Sequence, residues 1–210
     1  MSQELIIAVP KGRIFDELQP LFDKTGLQGE ADFYNEDSRK LLFNSNVTNL
    51  KIIKVRSFDV ATFVKFGAAD IGICGLDVLE EFSSTDIYRL LDLKVGKCRL
   101  SIASKKNCNI NLANQSHLRI ASKYINITRN YFAARNIQAE CIKLNGAMEL
   151  APRLNLCDFI VDLVSTGKTL KDNNLLEVAK IMDVSSHLVA NRNSFKVKTT
   201  EINKVIKLFS

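Results

Sequence analysis

The chain predicts an α/β protein of two lobes, on three observations. Short apolar runs of strand length alternate with segments whose apolar residues recur at helical spacing. The alternation restarts near residue 95. The 210 residues suffice for one large domain or two lobes of roughly 100 residues each.

Leu5–Val9 reads as a buried strand, and Pro10-Lys11-Gly12-Arg13 as the turn that follows it. Ile14, Leu18, Leu21 and Phe22 then stand at i, i+4, i+7 and i+8, one face of an amphipathic helix. Ser38–Phe43 and Leu50–Val55 are short strands separated by an Asn/Ser-rich turn. Phe58–Phe66 is a short helix closed by Gly67. Ile71–Cys74 is a buried strand, followed by Gly75 and a helix over Leu76–Phe82. The second series has strands at Arg99–Ser104, Leu118–Ala121, Cys141–Leu144 and Phe159–Val161, with a helix at Ile125–Arg135. Ala179–Val189 reads as one strand, and Thr199–Phe209 as a helix with Ile202, Val205, Ile206 and Phe209 in a stripe. The final segment is expected to return to the first lobe. That return makes a double crossover with a ligand cleft between the lobes, where such folds place their ligands.

Composition narrows the function classes. With 46% hydrophobic and 25% charged residues and three prolines, the chain is ordinary for a globular enzyme. No apolar run approaches the ~20 residues of a membrane span. The N-terminus MSQELIIAV lacks the basic start and longer apolar run of a signal peptide, so a cytoplasmic location is expected. The five cysteines, Cys74, Cys98, Cys108, Cys141 and Cys157, form no CxxC pair and read as free buried thiols. The net charge of +6 is scattered, which argues against nucleic acid and suits an anionic small molecule.

The most informative stretch is Asp158–Leu170, DFIVDLVSTGKTL. A strand ends near Asp162, and Ser165-Thr166-Gly167-Lys168-Thr169 makes a hydroxyl- and glycine-rich turn into a helix. Backbone N–H groups and hydroxyls then converge beside the positive end of the helix dipole, which suits a phosphate. Gly167-Lys168-Thr169 imitates the end of an ATPase P-loop. That loop requires an earlier glycine where this chain has Asp162, and a carboxylate there repels a triphosphate. Asp162 suits a ribose 5-phosphate better, accepting hydrogen bonds from ribose hydroxyls or helping to hold Mg²⁺. The plain alternative is a βα turn capped by Ser165 or Thr166.

Other candidates lie at strand ends. Lys11 and Arg13 flank Gly12, whose missing side chain lets a ligand approach the backbone. Arg39 and Arg56 are further cations at strand edges, each alone more often a surface residue. In ADIGICGLD, Gly75 opens a turn and Asp77 either contacts a ligand or caps the next helix. In GAMELAP, Glu149 touches a ribose, a base or Mg²⁺, or only caps a helix. His117 and His187 stand apart from any nucleophile, so no Ser/His/Asp triad is indicated.

Taken in order, PKGRI at 10–14, SRKLLF at 38–43, VRSFDV at 55–60, ADIGICGLDVL at 69–79 and the 145–175 block resemble the ATP phosphoribosyltransferase family, from Leu5 to about Asn191. The resemblance implies a two-lobed, periplasmic-binding-protein-like (type II) fold, with lobe I over 1–92 plus 184–210 and lobe II over 93–183. The family joins ATP to 5-phosphoribosyl 1-pyrophosphate (PRPP), giving phosphoribosyl-ATP and pyrophosphate, the first step of histidine biosynthesis. By the same resemblance, Asp162 and Ser165–Thr169 of lobe II hold the ribose and 5-phosphate of PRPP. Arg13 and Arg39 act in catalysis on the departing pyrophosphate, and Lys11, Gly12, Arg56, Gly75, Asp77 and Glu149 join the substrate-binding set. Lys168 sits at a variable position of the loop. Mg²⁺ is the implied cofactor, carried mainly by substrate phosphates and not by a protein cage.

Longer members of the family carry an added histidine-binding domain. This chain ends at Ser210 and resembles the short form. Short forms imply a homodimer and a hetero-octamer with a regulatory subunit related to histidyl-tRNA synthetase. A two-lobed small-molecule binding protein without catalytic activity is the second reading, because one fold serves both purposes.

Overall fold

A computed structural model describes residues 4–106 and 117–210. In chain order its elements begin with β1 (Leu5–Pro10), α1 (Arg13–Thr25), α2 (Ala31–Tyr34), β2 (Leu42–Asn44), β3 (Leu50–Val55), α3 (Ser57–Lys65), β4 (Ile71–Gly75), α4 (Leu76–Phe82) and β5 (Ile87–Asp92). Then come β6 (Cys98–Lys105), β7 (His117–Ser122), α5 (Ile125–Ala133), β8 (Gln138–Lys143), α6 (Leu150–Arg153), β9 (Phe159–Val164), α7 (Lys168–Asp172) and β10 (Leu175–Val184). The chain closes with β11 (Ser186–Asn191), α8 (Arg192–Val197) and α9 (Thr199–Phe209). Two compact units result, Met1–Gly96 with Ser185–Ser210 and Lys97–Val184.

The first unit is built on a sheet of order β2-β3-β1-β4-β11-β5. Strands β3, β1 and β4 run parallel, and β2 and β11 run antiparallel to their neighbours. β1 is buried almost throughout, as a central strand covered on both faces must be. Helix α1 buries Phe15, Leu18 and Phe22 and stops at Gly26 in the left-handed conformation. Helix α9 lays Ile202, Val205 and Phe209 into the same core, where the rings of Phe22 and Phe209 meet edge to face at 5.9 Å.

In the second unit the order is β10-β6-β9-β7-β8. Strands β9, β7 and β8 are parallel, and β6 is antiparallel to both of its neighbours.

Several local expectations change. The run Ala179–Val189 is not one strand. It breaks at Ser185, with β10 paired to β6 and β11 paired to β4 and β5. Ser185 explains the break: its carbonyl accepts from the Leu76 N–H at 2.9 Å and its hydroxyl donates to Asp92 at 2.8 Å. Ser38–Phe43 is strand only from Leu42 onward. Ile87–Asp92, given no element by the sequence pattern, is the edge strand β5. Of the thiols, Cys74 and Cys157 are buried, whereas Cys98 and Cys141 are half-buried; Cys108 lies outside the described residues. Burial pushes the Cys74 and Cys157 thiols up from their ordinary pKa.

Asn191 ties the returning segment to the first unit. Its side-chain amide donates to the carbonyls of Val64 at 2.9 Å and Lys65 at 3.1 Å, at the end of α3. Its side-chain oxygen accepts from the N–H groups of Asn193 and Ser194, both at 2.9 Å, capping α8. Asn191→Ala is expected to destabilise the protein by about 2–4 kcal/mol, a lost cap plus stranded polar groups. Urea unfolding followed by circular dichroism measures it.

Candidate functional site

Parallel strands β3, β1 and β4 bring their C-terminal ends to one edge of the first sheet, the edge where open α/β sheets place ligands. Lys11, Arg56 and Leu76 are the residues that leave these three strands there. Lys11 is anchored by its N–H to the Val55 carbonyl at 2.8 Å. Gly12 follows at φ 80°, ψ −156°, a backbone open in practice only to glycine. It stands at the N-terminal end of the thirteen-residue helix α1, and no side chain caps that end. The first N–H groups of α1 therefore face outward at the positive pole of the helix.

A cavity of about 320 Å³ opens beside this turn, lined by Lys11, Gly12, Ser38, Lys40, Phe43 and Lys54 among others. Lys11 and Gly12 thus share a concave surface with the 38–43 segment. The three candidate arginines do not line it. Arg13 is exposed, its Nε 3.5 Å from Glu17, a surface pair of small energetic weight. Arg39 is exposed in the irregular stretch before β2, and Arg56 is exposed at the start of α3.

Lys54 is the cation that the sequence reading missed. Leu50, Ile52 and Lys54 alternate onto one face of β3, and the first two belong to the hydrophobic core. Lys54 Nζ sits 3.8 Å from the centre of the Phe15 ring and donates to the Phe33 carbonyl at 3.2 Å. Desolvation lowers its pKa. The available signal was a lysine at the third position of an apolar alternation.

Gly75 and Asp77 are close in space. A Cβ built on Gly75 would meet an Asp77 carboxylate oxygen at 2.1 Å, so a side chain there would force the Asp77 carboxylate to turn away. Asp77 is not the cap of α4, as one reading had it. Gly75 holds that position, and Asp77 is buried within the first turn.

In the second unit, β9, β7 and β8 also run parallel and end on one edge. The connection from β9 to α7 is Ser165–Gly167, with Lys168 and Thr169 opening α7, and the connection from β8 to α6 carries Glu149. Both connections are anchored in one core, through Met148 before α6 and Leu170 in α7. Ser165, Thr166, Lys168 and Thr169 are exposed, and Gly167 takes φ 78° at the start of α7. Neither Ser165 nor Thr166 caps α7; the Thr166 hydroxyl accepts only a long bond from the Lys168 N–H at 3.4 Å. Asp162, half-buried, uses one carboxylate oxygen to accept from the Leu163 N–H at 2.8 Å. Glu149 precedes α6 and makes no side-chain cap either. Among the described residues no group of three or more His, Cys, Asp or Glu is placed to hold a metal ion.

Comparison with known proteins accords with this geometry. The family model described as ATP phosphoribosyltransferase matches residues 56–210. The chain is 53% identical over 210 residues to the ATP phosphoribosyltransferase of Rhodospirillum rubrum, covering 99% of this chain and 92% of that one. It is 52% identical over 211 residues to that of Rhizorhabdus wittichii, covering 100% and 96%. Among solved structures it resembles the ATP phosphoribosyl transferase (HisG:HisZ) complex of Thermotoga maritima, with a TM-score of 0.82 and 32% identity over 98% of this chain and 96% of that one. The aliphatic sulphonate binding protein of Escherichia coli matches at a TM-score of 0.60 and 14% identity over 100% of this chain and 68% of that one, a likeness of fold alone. The fold is thus of the periplasmic-binding-protein type (type II), and the chain belongs to the ATP phosphoribosyltransferase family.

Proposed function

We propose that the chain transfers the phosphoribosyl group of PRPP to N1 of the adenine of ATP, releasing pyrophosphate and committing both substrates to histidine biosynthesis. The observation that carries this reading is identity of about half over the whole length to proteins of that name. The geometry supplies parts the reaction needs. The bond from the anomeric carbon to pyrophosphate breaks as the bond to N1 forms, through an oxocarbenium-like state. Little covalent chemistry falls to the protein; it positions the reactants and neutralises the departing charge.

In this reading the exposed hydroxyls and N–H groups of Ser165–Thr169 take the 5-phosphate, with Asp162 accepting from the ribose hydroxyls. Lys11, Gly12 and the open end of α1 receive a polyphosphate, and Arg13 and Arg39 swing from solvent onto the leaving pyrophosphate. Arg56, Gly75, Asp77 and Glu149 complete the substrate contacts. Mg²⁺, when bound, neutralises phosphate charge, and substrate oxygens hold most of its coordination sphere.

The likeness to the Thermotoga maritima complex supports a regulatory partner of the HisZ kind, related to histidyl-tRNA synthetase. We place the chain in a homodimer and, with that partner, in a hetero-octamer in the cytoplasm. Among the described residues no helix is long and apolar enough to cross a membrane.

The test is product formation from ATP, PRPP and Mg²⁺, with pyrophosphatase to pull the equilibrium, followed by chromatography. The chain is assayed alone and with its cognate regulatory subunit. Product that needs both substrates is the expected result. No product in the presence of the partner would overturn the assignment in favour of a noncatalytic binding protein.

A further inference from the structure

The 165–169 loop is held by a side-chain bracket that lies far from it in sequence. Arg99 at the start of β6 grips Glu177 of β10 with two parallel bonds, Nε to Oε1 at 2.7 Å and Nη2 to Oε2 at 2.6 Å. The Ser101 hydroxyl donates to the same Oε1 at 2.8 Å. The remaining arm of the guanidinium, Nη1, donates to the backbone carbonyl of Ser165 at 3.1 Å. Ser165 is the first residue after β9, and Glu177 is the third residue of β10. One guanidinium therefore holds both the entry and the exit of the connection that carries the loop.

The sheet explains how the three groups meet. Across β6 and β9, Arg99 lies opposite Val164 and Ser101 opposite Asp162. Directly opposed residues share a face, so Arg99, Ser101 and Asp162 project from the same side of the sheet. Irregularities in the β10–β6 pairing at Glu177/Ala179 and Lys180/Met182 shift the register alongside. The hydrogen bond from Arg99 holds the Glu177 carboxyl below its ordinary pKa, and Glu177 in turn raises that of Arg99.

We infer that Arg99, oriented by Glu177 and Ser101, is a positioning residue for the PRPP phosphate loop. This rests on reading Ser165–Thr169 as the 5-phosphate holder. Fixing the Ser165 carbonyl orders the loop before PRPP arrives, so less binding free energy is spent on ordering it. A lysine cannot substitute, because it lacks the planar fork that grips a carboxylate twice and still reaches a third acceptor.

The experiment is calorimetric titration of the full-length chain with PRPP and Mg²⁺ and, separately, with ATP, together with amide hydrogen exchange of residues 165–169 without ligand. Arg99→Ala is expected to weaken PRPP binding about ten-fold, to leave ATP binding within about two-fold, and to speed exchange in the loop. Glu177→Gln shifts PRPP affinity in the same direction, and Arg99→Lys does not restore it. The double variant Arg99→Ala/Glu177→Ala binds PRPP no more weakly than Arg99→Ala alone, the signature of residues acting as one unit. Wild-type PRPP affinity in the folded Arg99 and Glu177 variants, or equal losses for PRPP and ATP, overturns the inference. Thr169→Val, within the loop itself, separates the two levels. If Thr169→Val weakens PRPP binding and Arg99→Ala does not, the bracket alone fails. If Thr169→Val leaves PRPP binding intact, the phosphate-loop reading fails.

Discussion

Arg39→Ala is expected to lower kcat by a factor of order 10²–10³, a loss of ~3–4 kcal/mol of transition-state stabilisation, with the fold intact. Arg39 is exposed in an irregular stretch, so its truncation leaves no cavity and strands no buried group. It does not line the cavity beside Lys11 and Gly12. A large rate effect from such a residue requires that the side chain meet the pyrophosphate only as it departs, which lowers kcat without a matching rise in KM. The measurement is steady-state kinetics with each substrate varied and the regulatory partner present. An unchanged kcat removes Arg39 from the catalytic set. Lys40 and Lys54, which do line the cavity, then become the cations to test.

Asp162→Asn is expected to raise the KM for PRPP by about 10–100-fold, because a hydrogen bond from a ribose hydroxyl to a carboxylate is worth about 1.5–3 kcal/mol. Asparagine keeps a side-chain oxygen for the Leu163 N–H, which Asp162 now accepts at 2.8 Å. The turn at the end of β9 therefore persists while the negative charge is lost. The KM for ATP should stay within a factor of about two. The same initial-rate measurements decide it: equal rises in both KM values would show that Asp162 shapes the sheet and does not contact ribose.

The elements that were legible in advance have local causes. The predicted α1 stripe of Ile14, Leu18, Leu21 and Phe22 and the α9 stripe of Ile202, Val205, Ile206 and Phe209 follow from helical periodicity, and both helices formed there, with Phe15 buried in α1 while Ile14, Leu21 and Ile206 stay half-buried. The turn after β9 was legible because hydroxyls and glycine after an apolar run mark a βα connection, although it spans only Ser165–Gly167 before α7 begins. The segment 179–189 misled because both halves are apolar enough for a strand. Only pairing tells which sheet each half joins. Lys54 was half-legible, standing on the apolar face of β3, yet its place over Phe15 depends on α1 packing there.

By itself the sequence determined the amphipathic helices α1 and α9, the buried strands β1 and β4, the hydroxyl- and glycine-rich turn after β9 and the family, since these depend on spacing within a few residues or on motifs in a fixed order. Tertiary structure alone decided that β11 lies between β4 and β5, that Lys54 sits over the Phe15 ring, and that Arg99 spans 78 positions to Glu177 with one arm on the Ser165 carbonyl. Long-range pairing and burial set those contacts. A period of two or 3.6 residues carries no information about which distant strand will lie alongside.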